Sequence, residues 1–318
     1  MKEIGGYLQA EQYFSDEYHK ESIALNTARN CLRYLIKNNN IKRLLMPKYL
    51  CSCLTDVCKQ ENVEISFYNI TKKLEPQIED YNQNSYVYII NYFGQLYDEY
   101  LQNLKYRFTN LIVDNVQSFF QRPIAGIDTI YTCRKYFGVS DGAYLYTNSK
   151  PIIGGILKDY SYDRLRFLAG RFEKSGNKFF DEFHKNENIL ETENIKFMSD
   201  MTHNILRSID YEFVKNRRTK NYNYLFDKLE KINKLCLKRI EGAFAYPLYI
   251  ENGNELRKKL IANKIYVPTL WPNVITDELK GTLEYDMALN ILPLPCDQRY
   301  DEEDMEYMIE IIKKEGWL

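Results

Sequence analysis

Asp114 closes the apolar run Leu111-Ile112-Val113-Asp114, and Lys135 follows about twenty residues later within Cys133-Arg134-Lys135-Tyr136-Phe137-Gly138-Val139-Ser140-Asp141-Gly142. A carboxylate at the end of a buried strand is costly unless something pairs with it. A lysine held in a cleft, where it can shed its proton, is a nucleophile toward carbonyl groups. Each residue also has an ordinary reading. Asp114 would cap the next turn, and Lys135 would be a solvated surface charge. Spacing and composition alone leave both readings open.

The elements that must position these two residues follow from periodicity. Apolar residues Ile23, Leu25, Ala28, Leu32, Leu35 and Ile36 recur at helical spacing and predict a first helix over residues 21–38. Short apolar runs over 43–46, 63–68, 86–92 and 110–113 predict strands, separated by helices near 52–60 and 98–107. Residues 128–132 and 143–147 read as two further strands flanking the lysine turn, with a helical stretch near 160–172. This alternation predicts an α/β domain with a mostly parallel sheet covered on both faces. Such sheets bind ligands beyond the carboxyl ends of their strands, which draws attention to Pro47, Gly94 and Asp114.

The polar stretch between Gly170 and Lys196, broken at Gly176 and Asn177, predicts a boundary that divides a large domain, 1–180, from a smaller α+β domain, 181–318. In the second, a long helical region over 197–234 precedes elements at 243–250, 255–262 and 265–268 and a final helix over 302–314.

With 318 residues, 45% of them apolar, the chain can bury a full core. Its 43 basic and 44 acidic residues nearly cancel, so no global field favours nucleic acid or an anionic membrane. Neither partner is expected, and no stretch approaches a membrane span. Seven cysteines, with no second cluster to complement Cys51, Cys53 and Cys58, predict reduced thiols, a cytoplasmic protein and no metal site.

Ordered motifs then point to a family. Ile4-Gly5-Gly6-Tyr7, Leu25-Asn26-Thr27-Ala28-Arg29, Met46-Pro47-Lys48-Tyr49, Val113-Asp114-Asn115-Val116-Gln117-Ser118, and Arg134-Lys135 with Ser140-Asp141-Gly142 occur in sequence. They are followed by Tyr246-Pro247-Leu248-Tyr249, Ile265-Tyr266-Val267 and Ile291-Leu292-Pro293-Leu294-Pro295. Together these stretches resemble, over essentially the whole chain, the DegT/DnrJ/EryC1/StrS sugar aminotransferases, which use pyridoxal 5'-phosphate and have the type I aminotransferase fold.

The resemblance implies that Lys135 carries the cofactor as a Schiff base, that Asp114 pairs with its ring nitrogen, and that Gln117 lies near its phenolic oxygen. It also implies that Thr27, Ala28 and Arg29 hold the phosphate at a helix N-terminus, with Thr132 as a second phosphate group. Two departures stand out. Where the family stacks an aromatic ring on the cofactor, this chain has Tyr49-Leu50-Cys51-Ser52, so Tyr49 is either the stacking ring or core; and Thr269-Leu270-Trp271-Pro272 replaces a histidine-containing segment. The implied activity is amino transfer from an amino acid, glutamate foremost, to a keto-sugar that is often nucleotide-linked. A small non-nucleotide ketone is the alternative acceptor, and a catalytically silent binding protein is the alternative class. A homodimer is implied, with Arg217, Arg218 and Asn223 as candidate groups reaching the partner's cofactor.

Overall fold

The computed structural model describes residues 4–278 and 280–318. Eight strands form one sheet: β1 (Ile23–Leu25), β2 (Arg43–Pro47), β3 (Glu64–Ile70), β4 (Pro76–Gln77), β5 (Tyr86–Ile90), β6 (Leu111–Asp114), β7 (Asp128–Thr132) and β8 (Ala143–Tyr146). Their spatial order is β1-β8-β7-β6-β5-β2-β3-β4. Pairing is parallel through β7, β6, β5, β2 and β3, and antiparallel where β8 joins β7 and β1 and where β4 closes the edge. The mostly parallel α/β sheet expected from the alternation is what forms.

Helices α1 (Ala28–Asn38), α2 (Ser52–Gln60) and α3 (Asp98–Arg107) connect these strands. Helices α4 (Arg166–Glu173), α5 (Phe180–Thr192), α6 (Asp200–Arg207) and α7 (Tyr211–Leu229) lead to a second, antiparallel pair, β9 (Tyr246–Tyr249) and β10 (Ile291–Leu294). Helices α8 (Gly253–Ala262), α9 (Pro272–Asp277) and α10 (Leu283–Asn290) lie between β9 and β10, and α11 (Glu302–Lys314) ends the fold.

The sheet separates two apolar clusters, and strand alternation assigns side chains to them. Ile130, Ala143 and Leu145 join the cluster with α1, whereas Tyr131 and Tyr144 join one with Phe119, Tyr136, Met198 and Leu206. Successive side chains on a strand point to opposite faces, so both faces of β7 and β8 are buried.

Three expectations need correction. The helix expected over 21–38 begins only at Ala28, because Ile23–Leu25 pairs with Leu145–Ala143 as an edge strand; cross-strand pairing overrides the helical spacing of Ile23 and Leu25. The long helix over 197–234 is two helices, because the Asp210 side chain accepts the Phe213 N–H and starts α7 afresh. The element expected at 265–268 is irregular backbone, and β9 takes β10 as its partner.

Candidate active site

Strand β6 ends on Asp114, whose register partner in β5 is Ile90. The carboxylate is 3% exposed. Its Oδ1 accepts the Val116 N–H at 2.9 Å, and its Oδ2 accepts the Tyr88 hydroxyl at 2.7 Å. Burial pushes the Asp114 carboxyl above the usual carboxylate range, opposed by the charge of Lys135 and by these two hydrogen bonds. Burying a charge favours its neutral form, and a nearby opposite charge resists the change.

Lys135 sits on the turn between β7 and β8. That turn is fastened by the Tyr136 and Phe137 N–H groups, which both donate to the Cys133 carbonyl, and by Cys133 N–H to Gly142 O at 3.1 Å. Solvent reaches the Lys135 side chain through an open cleft, yet protein crowds it closely enough that burial pulls its pKa down, with Asp114 the largest opposing influence. Its ammonium lies 5.5 Å from the centroid of the Phe244 ring. Cys51 and Cys53, at the start of α2, share the same electrostatic neighbourhood. The Cys51 thiol is held below its ordinary range by its hydrogen bond with Cys53, and Lys135 and Arg29 add to the effect.

Gln117 is fully buried. Its Oε1 accepts the Phe93 N–H at 2.8 Å, while its Nε2 has no hydrogen-bond partner among the described residues. A buried amide left half-satisfied calls for an acceptor. Thr27 is the N-cap of α1 and accepts the Asn30 N–H at 3.2 Å, which leaves the Ala28 and Arg29 N–H groups of the first turn as donors at the positive end of the helix. The Arg29 guanidinium donates to the Leu190 carbonyl at 3.3 Å, so it is drawn toward α5. Thr132 is buried at the end of β7, opposite Ala143.

Other candidates have structural surroundings. The Tyr49 ring is 1% exposed and lies 5.4 Å from Tyr92 and 4.5 Å, edge-on, from Trp271, the core position that the sequence had left open. Arg218 does not reach outward from α7: it is 2% exposed and donates to the carbonyls of Ala243 and Tyr136 and to Gln298. Its expected role toward a partner subunit is therefore corrected, because its donors are spent inside its own chain. Arg217 donates to the Tyr300 carbonyl at 3.3 Å, and Asn223 is half-buried. Asp141 of the Ser-Asp-Gly motif is also internal, accepting the Ser199 N–H and hydroxyl at 2.9 and 2.8 Å and thereby fixing the start of α6.

The sequence reading missed Tyr88 and Arg134. Tyr88 carries no motif; its link to Asp114 follows only from the pairing of β5 with β6. Arg134 is ion-paired with Glu187 on α5. It lines, with Lys135, Phe167, Arg171, Phe183 and Arg299, a cavity of about 1000 Å³. Lys135 lines that cavity, whereas Asp114, Gln117 and Thr27 do not.

No protein-family model matches the chain, and no curated protein matches it. Solved structures do. A DegT/DnrJ/EryC1/StrS aminotransferase from Brucella abortus superposes with a TM-score of 0.61 at 15% identity, covering 92% of this chain and 85% of its own. A sugar aminotransferase from Micromonospora echinospora gives 0.65 at 12% identity, over 94% and 88%. DesV of S. venezuelae, solved with a ketimine intermediate, gives 0.66 at 14%, over 92% and 84%. Across nearly its whole length, this chain has the fold of the DegT/DnrJ/EryC1/StrS aminotransferases.

Proposed function

We propose that the chain is a pyridoxal-phosphate-dependent aminotransferase in which Lys135 binds the cofactor covalently. The observation that carries this reading is the meeting of a buried carboxylate, Asp114, and a lysine of lowered pKa, Lys135, beside a buried amide donor with no partner, Gln117 Nε2. These residues fit the cofactor: the first-turn amides of α1 with Thr27 would hold its phosphate, Gln117 its phenolic oxygen and Asp114 its ring nitrogen. When bound, the cofactor supplies an electron sink for the bonds at the substrate's amine-bearing carbon.

The chain's own residues do the rest. A lowered pKa keeps more of the Lys135 amine neutral near pH 7–8, as attack on a carbonyl requires. The same amine, when free, would serve as the base and acid that carries a proton between neighbouring carbons. Asp114, whose ionised form the Tyr88 hydroxyl and the Val116 N–H favour against burial, would stabilise positive charge on the ring nitrogen. The test is borohydride reduction of the cofactor-loaded protein followed by peptide mass spectrometry. An adduct on Lys135 is expected, and an adduct confined to another lysine would overturn the assignment.

For the substrates, the reading is an amino acid donor, glutamate foremost, and a nucleotide-linked keto-sugar as acceptor. The solved relatives described as sugar aminotransferases support the sugar, and Arg171 on the cavity beside Lys135 supports an anionic, phosphate-bearing tail. Stabilisation by a nucleoside diphosphate in a thermal-shift titration is expected, and its absence would favour a small ketone. The reading includes a homodimer in the cytoplasm. Exposed Phe172 and Phe180, which line the cavity, are apolar surface of the kind that a second subunit covers; light scattering tests it. A division into 1–180 and 181–318 belongs to the same reading, although Leu235, Tyr249 and Met287 pack into the core of the first sheet.

A further inference from the structure

Tyr88 stands out among the buried residues around the cleft. Its side chain is 1% exposed and rises from the middle of β5, where its register partner is Ile112, two positions before Asp114. Its hydroxyl donates to Asp114 Oδ2 at 2.7 Å, and its backbone carbonyl accepts the Tyr68 hydroxyl at 2.8 Å. The phenol is thus fixed at both ends: a central strand carries its backbone, and a carboxylate accepts the hydrogen bond of its hydroxyl. Among the described residues, the Asp114 carboxylate has one other hydrogen bond, from the Val116 N–H on its other oxygen. The groups that face the pair are Lys135 from the β7–β8 turn, Cys31 from α1, Tyr92 just after β5, and Cys53 and Cys58 from α2. Among these, the positive charge is that of Lys135.

That has a chemical consequence, which rests on the function proposed above. Lys135 is the residue consumed in binding the cofactor, so its ammonium cannot also be the permanent counter-charge of Asp114. We infer that Tyr88 is the positioning residue of this site: its hydroxyl fixes the rotamer of Asp114 and keeps it a carboxylate when Lys135 is engaged, which leaves an oxygen lone pair for the protonated ring nitrogen of the cofactor. A donor to the charged form favours that form, and a carboxylate buried with one hydrogen bond would more readily take up the ring proton itself. The ring would then become neutral, and its capacity to accept electrons would fall.

Tyr88→Phe removes the hydroxyl and keeps the ring. Tyr68→Phe is the matched control: it removes a neighbouring buried hydroxyl that holds Tyr88 from behind without touching Asp114. In cofactor-free protein, the Asp114 carboxyl carbon is followed by NMR against pH, assigned by its loss in Asp114→Asn. Tyr88→Phe is expected to raise the Asp114 titration by about one pH unit, and Tyr68→Phe to leave it in place. In the cofactor-loaded protein, Tyr88→Phe is expected to lower kcat about tenfold with the KM for the amino donor unchanged, while borohydride still fixes the cofactor on Lys135. An unmoved Asp114 titration in Tyr88→Phe, or an equal fall in kcat in Tyr68→Phe, would overturn the assignment and make Tyr88 a packing residue. Failure of the wild-type protein to form any borohydride-fixed adduct would instead overturn the proposed function. The titration in the cofactor-free protein would still decide what Tyr88 does to Asp114.

Discussion

Two buried carboxylates, Glu17 against Tyr144 of β8 and Asp114 at the end of β6, show how the same chemical group is used for opposite ends. Glu17 is 8% exposed and saturated: the Tyr144 hydroxyl donates at 2.6 Å, His203 Nδ1 lies at 2.7 Å and Arg207 Nε at 3.3 Å. Burial works to raise its pKa, but the hydrogen bonds from His203 and Tyr144 and the nearby charges hold it below the usual range. Asp114 has two hydrogen bonds and one displaceable cation, and burial prevails. A carboxylate that is over-compensated fastens structure, here the arm around residue 17 to α6. One that is under-compensated is held ready for a charge that has yet to arrive.

The sharpest way to break this comparison is at Lys135, the displaceable cation. Lys135→Ala should lower amino transfer by about 10⁴-fold, because nucleophile and proton carrier are lost together, and should abolish the borohydride-fixed adduct while circular dichroism stays native. A variant that keeps its turnover would remove Lys135 from the chemistry altogether.

Next in size is Asp114→Asn, expected to lower turnover about 10²-fold with the thermal midpoint of the cofactor-free protein unchanged or raised. The sign follows from linkage. A folded pKa above the unfolded one makes ionisation unfavourable to folding, and that cost is present at neutral pH. A lowered midpoint with full turnover would make Asp114 a cap and nothing more.

Glu17→Gln should do the reverse: turnover per folded molecule persists, while stability falls by about 1–3 kcal/mol as three donors lose their charged acceptor. Because the Glu17 pKa is lowered on folding, its contribution is present above the unfolded carboxylate range and is lost as pH falls through the folded value. Urea titrations of wild type and Glu17→Gln should therefore converge on acidification below about pH 4. Curves that stay parallel would end the contrast with Asp114.

The smallest effect concerns Cys51. Its lowered pKa predicts alkylation by iodoacetamide near pH 7, slowed by bound cofactor if the thiol faces the same cleft as Lys135. Equal rates with and without cofactor would place the thiol outside that cleft.

Much of this was legible in the chain itself. The run Leu111–Asp114 and the strand Asp128–Thr132 stand where hydrophobic pattern and turn residues put them, because a strand buried on both faces leaves a continuous apolar signature. The final helix, Glu302–Lys314, was also readable, since its capping box at Asp301 and Asp304 is local. Asp114, Gln117 and Lys135 could be singled out before any fold was known because the motifs around them resemble a family's; their types and spacing alone left the ordinary readings open. Tertiary structure alone decided what they touch. Residues 23–25 become a strand only because β8 lies beside them. Arg218 turns inward because the Tyr136 and Ala243 carbonyls need its donors. Tyr88 reaches Asp114 because β5 and β6 pair in one particular register. Spacing along a chain fixes which face a side chain takes, but the neighbour it meets there belongs to a distant segment, and a buried group's charge state depends on that neighbour.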